Sequence, residues 1–490
     1  MGAAAWPFTV DDAYIVARHA ESLASGRGWA MNAGEPSDGV TGPLWVLPMA
    51  LAIALGLSPI AAAKGLGLGC GAIAAGLTVR ALGRRQGGRV AGAVAAAVLV
   101  AQGNLTIWSA AGLETGAATL ALTIAALAAS SSPRVSAAAR ESSTPRLPGS
   151  PHARASLASR RTWVVATCVG LPVALLAWLR PETFVAGVVC IAVVAARDRR
   201  AGVTAGAIAA LGVASVVAFR LALFDHVLPL SFHAKPAELD HGAAYVARGL
   251  PVITGVIGLV PALVAVRRGG FACRVLGAVV VAHLAAVVVA GGDWMPGFRL
   301  LAPVVPAWAY LAGVGTGHLL RTRAPRARAL AVLCAVAAVA VPALDAAVQL
   351  PDAREAGARR EREGRELARY LREHADTVAL VDAGYLAWAS GVRVIDLSGL
   401  TDGAVARAPG AHLDKEIDPG WLAARAPDLI VLHASLPPPV DDDGNLTALA
   451  GFAVERRIAA MPWVRAHYRV ARVVEYAPQY HYVVLARPRR

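Results

Sequence analysis

Between residues 43 and 348 long apolar runs recur, separated by short polar connections. Runs such as "VLGAVVVAHLAAVVVAGG" and "ALAVLCAVAAVAVPALDAAV" approach the ~20 residues a helix needs to cross ~30 Å of hydrocarbon. Backbone polar groups in hydrocarbon must find partners within their own segment, so repeated runs of this length restrict the stretch to membrane-spanning helices. Composition agrees. With 56% of its residues hydrophobic and 16% charged, the chain has too little polar surface for a soluble protein of 490 residues. Ten spans are predicted, near 59–80, 90–107, 110–130, 162–179, 182–196, 201–223, 249–266, 275–291, 300–319 and 327–348.

Every second connection is rich in arginine: "RALGRRQGGR" (80–89), the segment 131–161, "RDRR" (197–200), "RRGGFACR" (267–274) and "RTRAPRAR" (321–328). The positive-inside bias places these in the cytoplasm. They also account for much of the formal net charge of +14 without a nucleic-acid partner. The Ser/Pro/Arg-rich stretch 131–161 reads as a disordered loop. The alternate connections then face outward, and parity puts residues 1–58 and 349–490 on that face too. This requires "PLWVLPMALAIALGL" (43–57), with 15 residues and two prolines, to lie at the interface without crossing. The organisation expected is an extracytoplasmic loop (1–58), a transmembrane domain (59–348) and an extracytoplasmic domain (349–490), in the cytoplasmic (inner) membrane. Cys70, Cys168, Cys190, Cys273 and Cys334 lie in or beside apolar runs without a CxxC pair, and read as small buried hydrophobes.

The outer face collects the chemistry. Asp11 and Asp12 open "DDAYIVARHAESLA", where a carboxylate can cap a helix, act as a general base, or do both. "GGDWMPGFR" contributes Asp293 and Arg299 at a span end, and "WLRPET" contributes Arg180 and Glu182. An arginine near the membrane is costly unless it sits at the edge or is paired. "FDHVLPLSFHAKP" contributes His233 and Lys235, together with Asp225 and His226, but their spacing matches no zinc pattern. Lys235 is one of three lysines, with Lys64 and Lys415, and reads as a point charge for a phosphate. Acids plus bases on one face suit glycosyl transfer from a lipid phosphate: the bases stabilise the departing phosphate and a carboxylate takes the acceptor proton. The residues indicate no cofactor beyond a divalent cation that Asp12 could hold, and the metal requirement stays open. A site on this face has no access to nucleotide sugars or ATP, so an activated donor would arrive within the bilayer. The rival is a transporter or flippase for a lipid-linked saccharide, which should carry charge near the bilayer midplane and repeat symmetry. Neither is visible.

Past the last span, "DAREAGARREREGRELARYLREH" reads as a charged helix with i,i+4 pairing. "TVALVDAGYLAWASGVRVIDLSGL" alternates strand, helix and strand, "PDLIVLH" is a further strand, and the chain ends in a hairpin. The fold class expected is therefore a polytopic α-helical membrane protein with a small extracytoplasmic α/β C-terminal domain. This domain either caps the helical domain without chemistry or helps hold a polysaccharide acceptor, with Trp388, Asp396 and Asp402 near the active face.

"DDAYIVARHAESLASGRGWAMNAGEPSDGVTGPLW" resembles the first extracytoplasmic loop of GT-C membrane glycosyltransferases, in the branch containing terminal arabinofuranosyltransferases of mycobacterial cell walls. The shared features are Asp11–Asp12, Arg18, the stretch Asn32–Glu35 and the entry Thr41–Trp45. "SAAGLET", "LRPE", "LPLSFHAK", "GGDWMPGFR" and "VIDLSGLTD" follow in the branch's order, so the similarity spans residues 6–405. The resemblance implies inverting transfer of a sugar, with arabinofuranose one candidate, from a polyprenyl-phosphate donor to a cell-envelope glycan or lipid acceptor. Asp11 would be the base and Asp12 its support, with Arg18, Arg180, Glu182, His233, Lys235, Asp293 and Arg299 binding donor phosphate or substrate. Members of the branch have a transmembrane helix just before the Asp pair, where this chain has "MGAAAWPFTV"; a helix upstream of the given sequence is the expectation.

Overall fold

The structure is a computed structural model; it describes residues 2–84, 88–132 and 151–488, with only the backbone of 151–159. The chain is a polytopic α-helical membrane protein that carries a small sheet domain near its C-terminus. Six helices are long and apolar enough to cross a membrane: Pro59–Gly83, Arg160–Leu179, Arg199–Phe224, Phe271–Val289, Arg299–Leu320 and Pro325–His374. Two further spans are bent pairs, Gly88–Ala101 with Gly103–Ala110 at 52° and Leu239–Thr254 with Leu259–Arg268 at 86°. Gln102 makes the first bend with a non-helical backbone and donates its side-chain amide to the Ile253 carbonyl at 2.8 Å. Gly255, at φ 73°, ends the first half of the second pair.

Each of the ten predicted spans thus corresponds to a helix or bent pair, but not all are full-length. Thr115–Ser130 and Pro181–Arg197 have 16 and 17 residues, rising about 24–26 Å. These short helices are packed among the longer ones, where small residues allow close approach. A Cβ added at Gly116 would lie 2.1 Å from the Gly67 carbonyl oxygen on the neighbouring helix. The helix Pro43–Ala54 is too short to span, and its Leu47 and Leu51 are exposed, as a helix lying along the interface would have them.

The two ends of the helical domain differ. At one end the arginine-rich connections meet. The Arg197 guanidinium sits 3.9 Å from the centre of the Phe271 ring, and Thr162 donates to Asp198 at 3.1 Å. Most of the predicted loop 131–161 lies outside the described residues. At the opposite end, Arg180 is buried between Glu114 (2.6 Å) and Glu182 (3.3 Å), tying three span ends together.

The C-terminal domain stands on this second end. Its sheet comprises β3 (Thr377–Leu380), β4 (Arg393–Asp396), β5 (Leu429–Ala434), β6 (Arg469–Ala477) and β7 (Tyr480–Ala486), ordered β4-β3-β5-β7-β6. Strands β3, β4 and β5 are parallel, and β7 and β6 form the antiparallel terminal hairpin. The helix Pro325–His374 continues for 50 residues, about 75 Å, from the membrane domain into this one. The boundary expected at 348/349 therefore falls inside a helix.

The N-terminal loop wedges between the two. Its helix Asp12–Ala24 is followed by a small hairpin of β1 (Ala30–Asn32) and β2 (Glu35–Pro36). Strand β4 is an edge, and unpaired edge groups need a partner. Asn32 supplies it: its amide accepts from the Val394 N–H and donates to the Val394 carbonyl, both at 2.9 Å. Glu35 pairs with Arg393 at 2.8 Å.

Candidate active site

Where the loop, the helical domain and the sheet meet, they enclose a cavity of about 900 Å³. Ligand sites of parallel sheets lie outside the carboxyl ends of the strands. Here Asp382 follows β3, and Ser398 follows β4, in the cavity wall. The facing wall is built from Asp11, Asp12, Lys235, Asp293 and an apolar floor that includes Ile107, Met295 and Pro296.

Asp11 precedes the helix Asp12–Ala24 but its side chain does not cap it. Its carboxylate reaches across to the C-terminal domain and accepts from the main-chain N–H groups of Gly384 (3.0 Å) and Tyr385 (2.9 Å). The approach is close enough that a Cβ at Gly384 would lie 2.1 Å from Asp11 Oδ2, so glycine is required there. Burial and the nearby Asp382 push the Asp11 carboxyl up to about 6, while Arg360 and the Tyr385 amide pull the other way. The result is a carboxylate more basic than usual yet still ionised at neutral pH, a suitable poise for a general base.

Asp12 is more accessible and lies 3.8 Å from Arg299, which also pairs with Asp293. Arg299 is thus held between two carboxylates, with Trp108 under its guanidinium at 5.6 Å, and is not part of the cavity wall. Lys235 lines the cavity at the end of the short helix Leu230–Ala234 and makes no ion pair among the described residues. Burial, reinforced by Lys235, pushes the His412 imidazole beside it down to about 3.

Four other predicted substrate contacts are elsewhere. Arg18 is buried and donates to the carbonyls of Met31 (2.7 Å), Ala387 and Val392 (2.5 Å), fastening the loop to the C-terminal domain. Burial lowers its pKa to about 10. Arg180 and Glu182 are committed to the brace with Glu114. His233 is exposed outside the cavity. Their charges or positions suit assembly of the site, not contact with a ligand in it. Asp396 is also buried, accepting from Ser398 and Thr401, and Asp402 caps the helix Gly403–Ala406. Trp388 donates to Glu21 at 2.7 Å. Among the described residues, no three metal-ligating side chains converge in a manner suited to an ion.

The structure adds residues that the sequence did not single out. Arg360 faces Asp11 and donates to the Thr9 carbonyl, lying over Tyr14. Asp382 is held by a buried network. Its Oδ2 accepts from Tyr480 (2.7 Å), Tyr482 (2.8 Å) and His433 Nε2 (3.0 Å), and His433 Nδ1 meets Glu455 at 2.5 Å. Burial disfavours the imidazolium, but Asp382 and Glu455 outweigh it and hold His433 protonated up to about 10. Burial would raise the Asp382 carboxyl; His433 and the two tyrosines keep it well below the usual range.

The architecture as a whole has the fold of a solved membrane protein. ArnT from Cupriavidus metallidurans, solved in its apo state, matches with a TM-score of 0.54 at 14% identity, over 98% of this chain and 93% of that one. Residues 352–485 match the family model of a domain of unknown function, DUF8728. No curated protein matches the chain by sequence.

The His433 network makes stability depend on pH. A raised imidazole pKa contributes stability that is complete below about pH 6.5 and lost as pH rises toward 10. The melting temperature of the purified protein should fall across this window. His433→Gln leaves buried carboxylates without their cation, so it should start lower by about 3–5 kcal/mol and lack this slope. Parallel slopes in differential scanning fluorimetry would show that the imidazole is neutral.

Proposed function

We propose that this chain, built on the GT-C fold, is a membrane glycosyltransferase that moves a sugar from a polyprenyl-phosphate donor to an extracytoplasmic glycan or lipid acceptor, with inversion. The observation that carries the reading is one cavity at the end of a membrane-helix domain holding both Asp11, poised near 6, and Lys235, an ammonium without an ion pair among the described residues. An apolar floor beside the ammonium suits a lipid chain whose phosphate head lies at Lys235.

In the proposed reaction Asp11 accepts the proton of an acceptor hydroxyl as that oxygen attacks the sugar's anomeric carbon. The bond from that carbon to the donor phosphate breaks on the opposite face, and polyprenyl phosphate leaves against Lys235. Asp12 and Asp293 hold Arg299, which keeps the second acid of the pair in place beside the first. Arg18, Arg180 and Glu182 take part as braces around the site. The extracytoplasmic side is assigned on the arginine-rich connections at the far end, and arabinofuranose is one candidate sugar.

The reading is tested by incubating membranes that contain the protein with a panel of radiolabelled polyprenyl-phosphate sugars and following label into polysaccharide and lipid. No protein-dependent transfer from any donor would overturn it. In an active preparation, Asp11→Asn should lose about 10²–10⁴-fold in turnover. The wild-type rate should fall as pH drops below about 6, where Asp11 takes up its proton. Retention of more than about a tenth of the rate would move the base to another acid. Lys235→Ala should lose one charge-assisted contact, about 1.5–3 kcal/mol in the transition state, with unchanged thermal stability. Wild-type kinetics in that variant would remove Lys235 from the phosphate. For orientation, a cysteine placed in 440–445 should react with a membrane-impermeant thiol reagent in intact cells, and one in 131–161 should resist it; the reverse pattern inverts the assignment.

A further inference from the structure

The proposed reaction has a donor side and a base, but it leaves unexplained why the C-terminal domain places a carboxylate in the cavity wall and surrounds it with three polar side chains. All the protein hydrogen bonds to Asp382 fall on Oδ2, from Tyr480, Tyr482 and His433. Among the described residues Oδ1 has no donor, and the side chain keeps 30% of its surface exposed. A structural carboxylate would have both oxygens satisfied, as Asp396 does at the end of the neighbouring strand, where Oδ1 takes Ser398 and Oδ2 takes Thr401. Asp382 is instead anchored by one oxygen and offers the other.

What it offers is fixed in charge as well as position. The imidazolium of His433, itself neutralised by buried Glu455, keeps Asp382 ionised and therefore acceptor-only. An ionised carboxylate beside Asp11 and Asp12 repels a phosphate and attracts hydroxyl donors. The side chains around it are of the same kind: the Tyr480 hydroxyl, Ser398 and the half-exposed ring of Phe452 line the same wall. A carboxylate, hydroxyls and an aromatic face form a surface for a neutral polyhydroxylated ring, whose hydroxyls donate and whose C–H face packs on the ring. Lys235, with the apolar floor, lies on the membrane-domain side of the cavity.

We infer that the C-terminal domain supplies the acceptor subsite, and that Asp382 binds hydroxyl groups of a neutral sugar acceptor through Oδ1. The inference deepens the glycosyltransferase reading and rests on it for the word acceptor. It gives the domain of unknown function a direct part in the site: within four residues, 382–385, one side chain binds acceptor and two main-chain amides hold the base.

The test measures binding, so it does not depend on finding the donor sugar. Purified full-length protein in detergent is titrated with octyl glycosides of arabinofuranose and mannose, and separately with polyprenyl phosphate, by isothermal calorimetry. The wild type should bind a glycoside. Asp382→Asn should weaken that binding about 10–150-fold, the loss of one charge-assisted hydrogen bond, while polyprenyl phosphate binds as before. Asp382→Glu keeps the charge and moves the free oxygen by a methylene. It provides a second variant if the amide does not fold, and should weaken glycoside binding at least about threefold. Glycoside affinity unchanged in the variants, or no glycoside binding by wild type, would overturn the inference. Loss of polyprenyl-phosphate binding together with glycoside binding would overturn it too, since Asp382 would then be shaping the whole cavity. Failure of every labelled donor in the transfer assay, with glycoside binding still dependent on Asp382, would instead sink the glycosyltransferase reading alone.

Discussion

A carboxylate from the N-terminal loop held by two main-chain amides of the C-terminal domain is the contact on which the site depends. Asp11 cannot be both buried and charged without compensation, and the N–H groups of Gly384 and Tyr385 provide part of it. Because they belong to main chain, their position is set by the fold of the sheet and not by a rotamer. The same contact fixes how near the two domains stand, since Gly384 has no room for a Cβ. A general base whose orientation is set by another domain works only if that domain is rigidly docked, and much of the remaining polar structure serves the docking. Arg18 takes three carbonyls, two of them from the C-terminal domain, Asn32 completes the edge of β4, and Ser37 donates to the Thr401 carbonyl at 2.6 Å.

The membrane side is braced by the same means. Arg220 donates to buried Asp38 at 2.9 Å and to the Thr41 carbonyl, Thr41 meets Ser231 through their hydroxyls, and Trp45 donates to the Gly112 carbonyl. With the Glu114–Arg180–Glu182 group, these contacts connect the loop to the ends of several spans. Buried ion pairs contribute little net stability on average, because desolvation offsets their attraction. Their use here is geometric: each satisfies a charge only in one arrangement of loop and helices.

This explains what was legible in the sequence. The spans follow from apolar length alone, and the carboxylate pair stood out because acids are rare beside such runs. The strands of the C-terminal domain followed from their β-branched, alternating residues. The motifs that carried the family resemblance turn out to touch one another: Asn32 on β4, Thr41 on the segment of Lys235, Trp45 on the segment of Glu114, Asp12 near Arg299. Most of them brace the cavity and do not face it: Arg18, Arg180 and Glu182 are engaged in contacts between segments, and His233 lies outside the cavity. The far wall was illegible for a different reason. Asp382, His433, Glu455 and Tyr480 are separated by up to 98 residues and meet only through the order of strands in the sheet. Each is unremarkable in its own segment.

Arg360 shows how a charged helix conceals such a residue. In "DAREAGARREREGRELARYLREH" it is one arginine among many, and the i,i+4 pattern assigns all of them to solvent. The neighbours obey: Arg359 pairs with Glu355 at 3.0 Å and Arg365 pairs with Glu361. At Arg360–Gly364, however, the helix makes a turn of π-helix, which inserts a residue and shifts the face presented. Arg360 is left facing Asp11. Its positive charge opposes burial and the charge of Asp382, the two influences that raise the Asp11 carboxyl. Asp382 makes Asp11 a stronger base, and Arg360 draws it back the other way. One of these charges stands just past the end of a parallel strand and the other on a 50-residue helix rooted in the membrane domain, so the poise of the base registers the position of both domains at once.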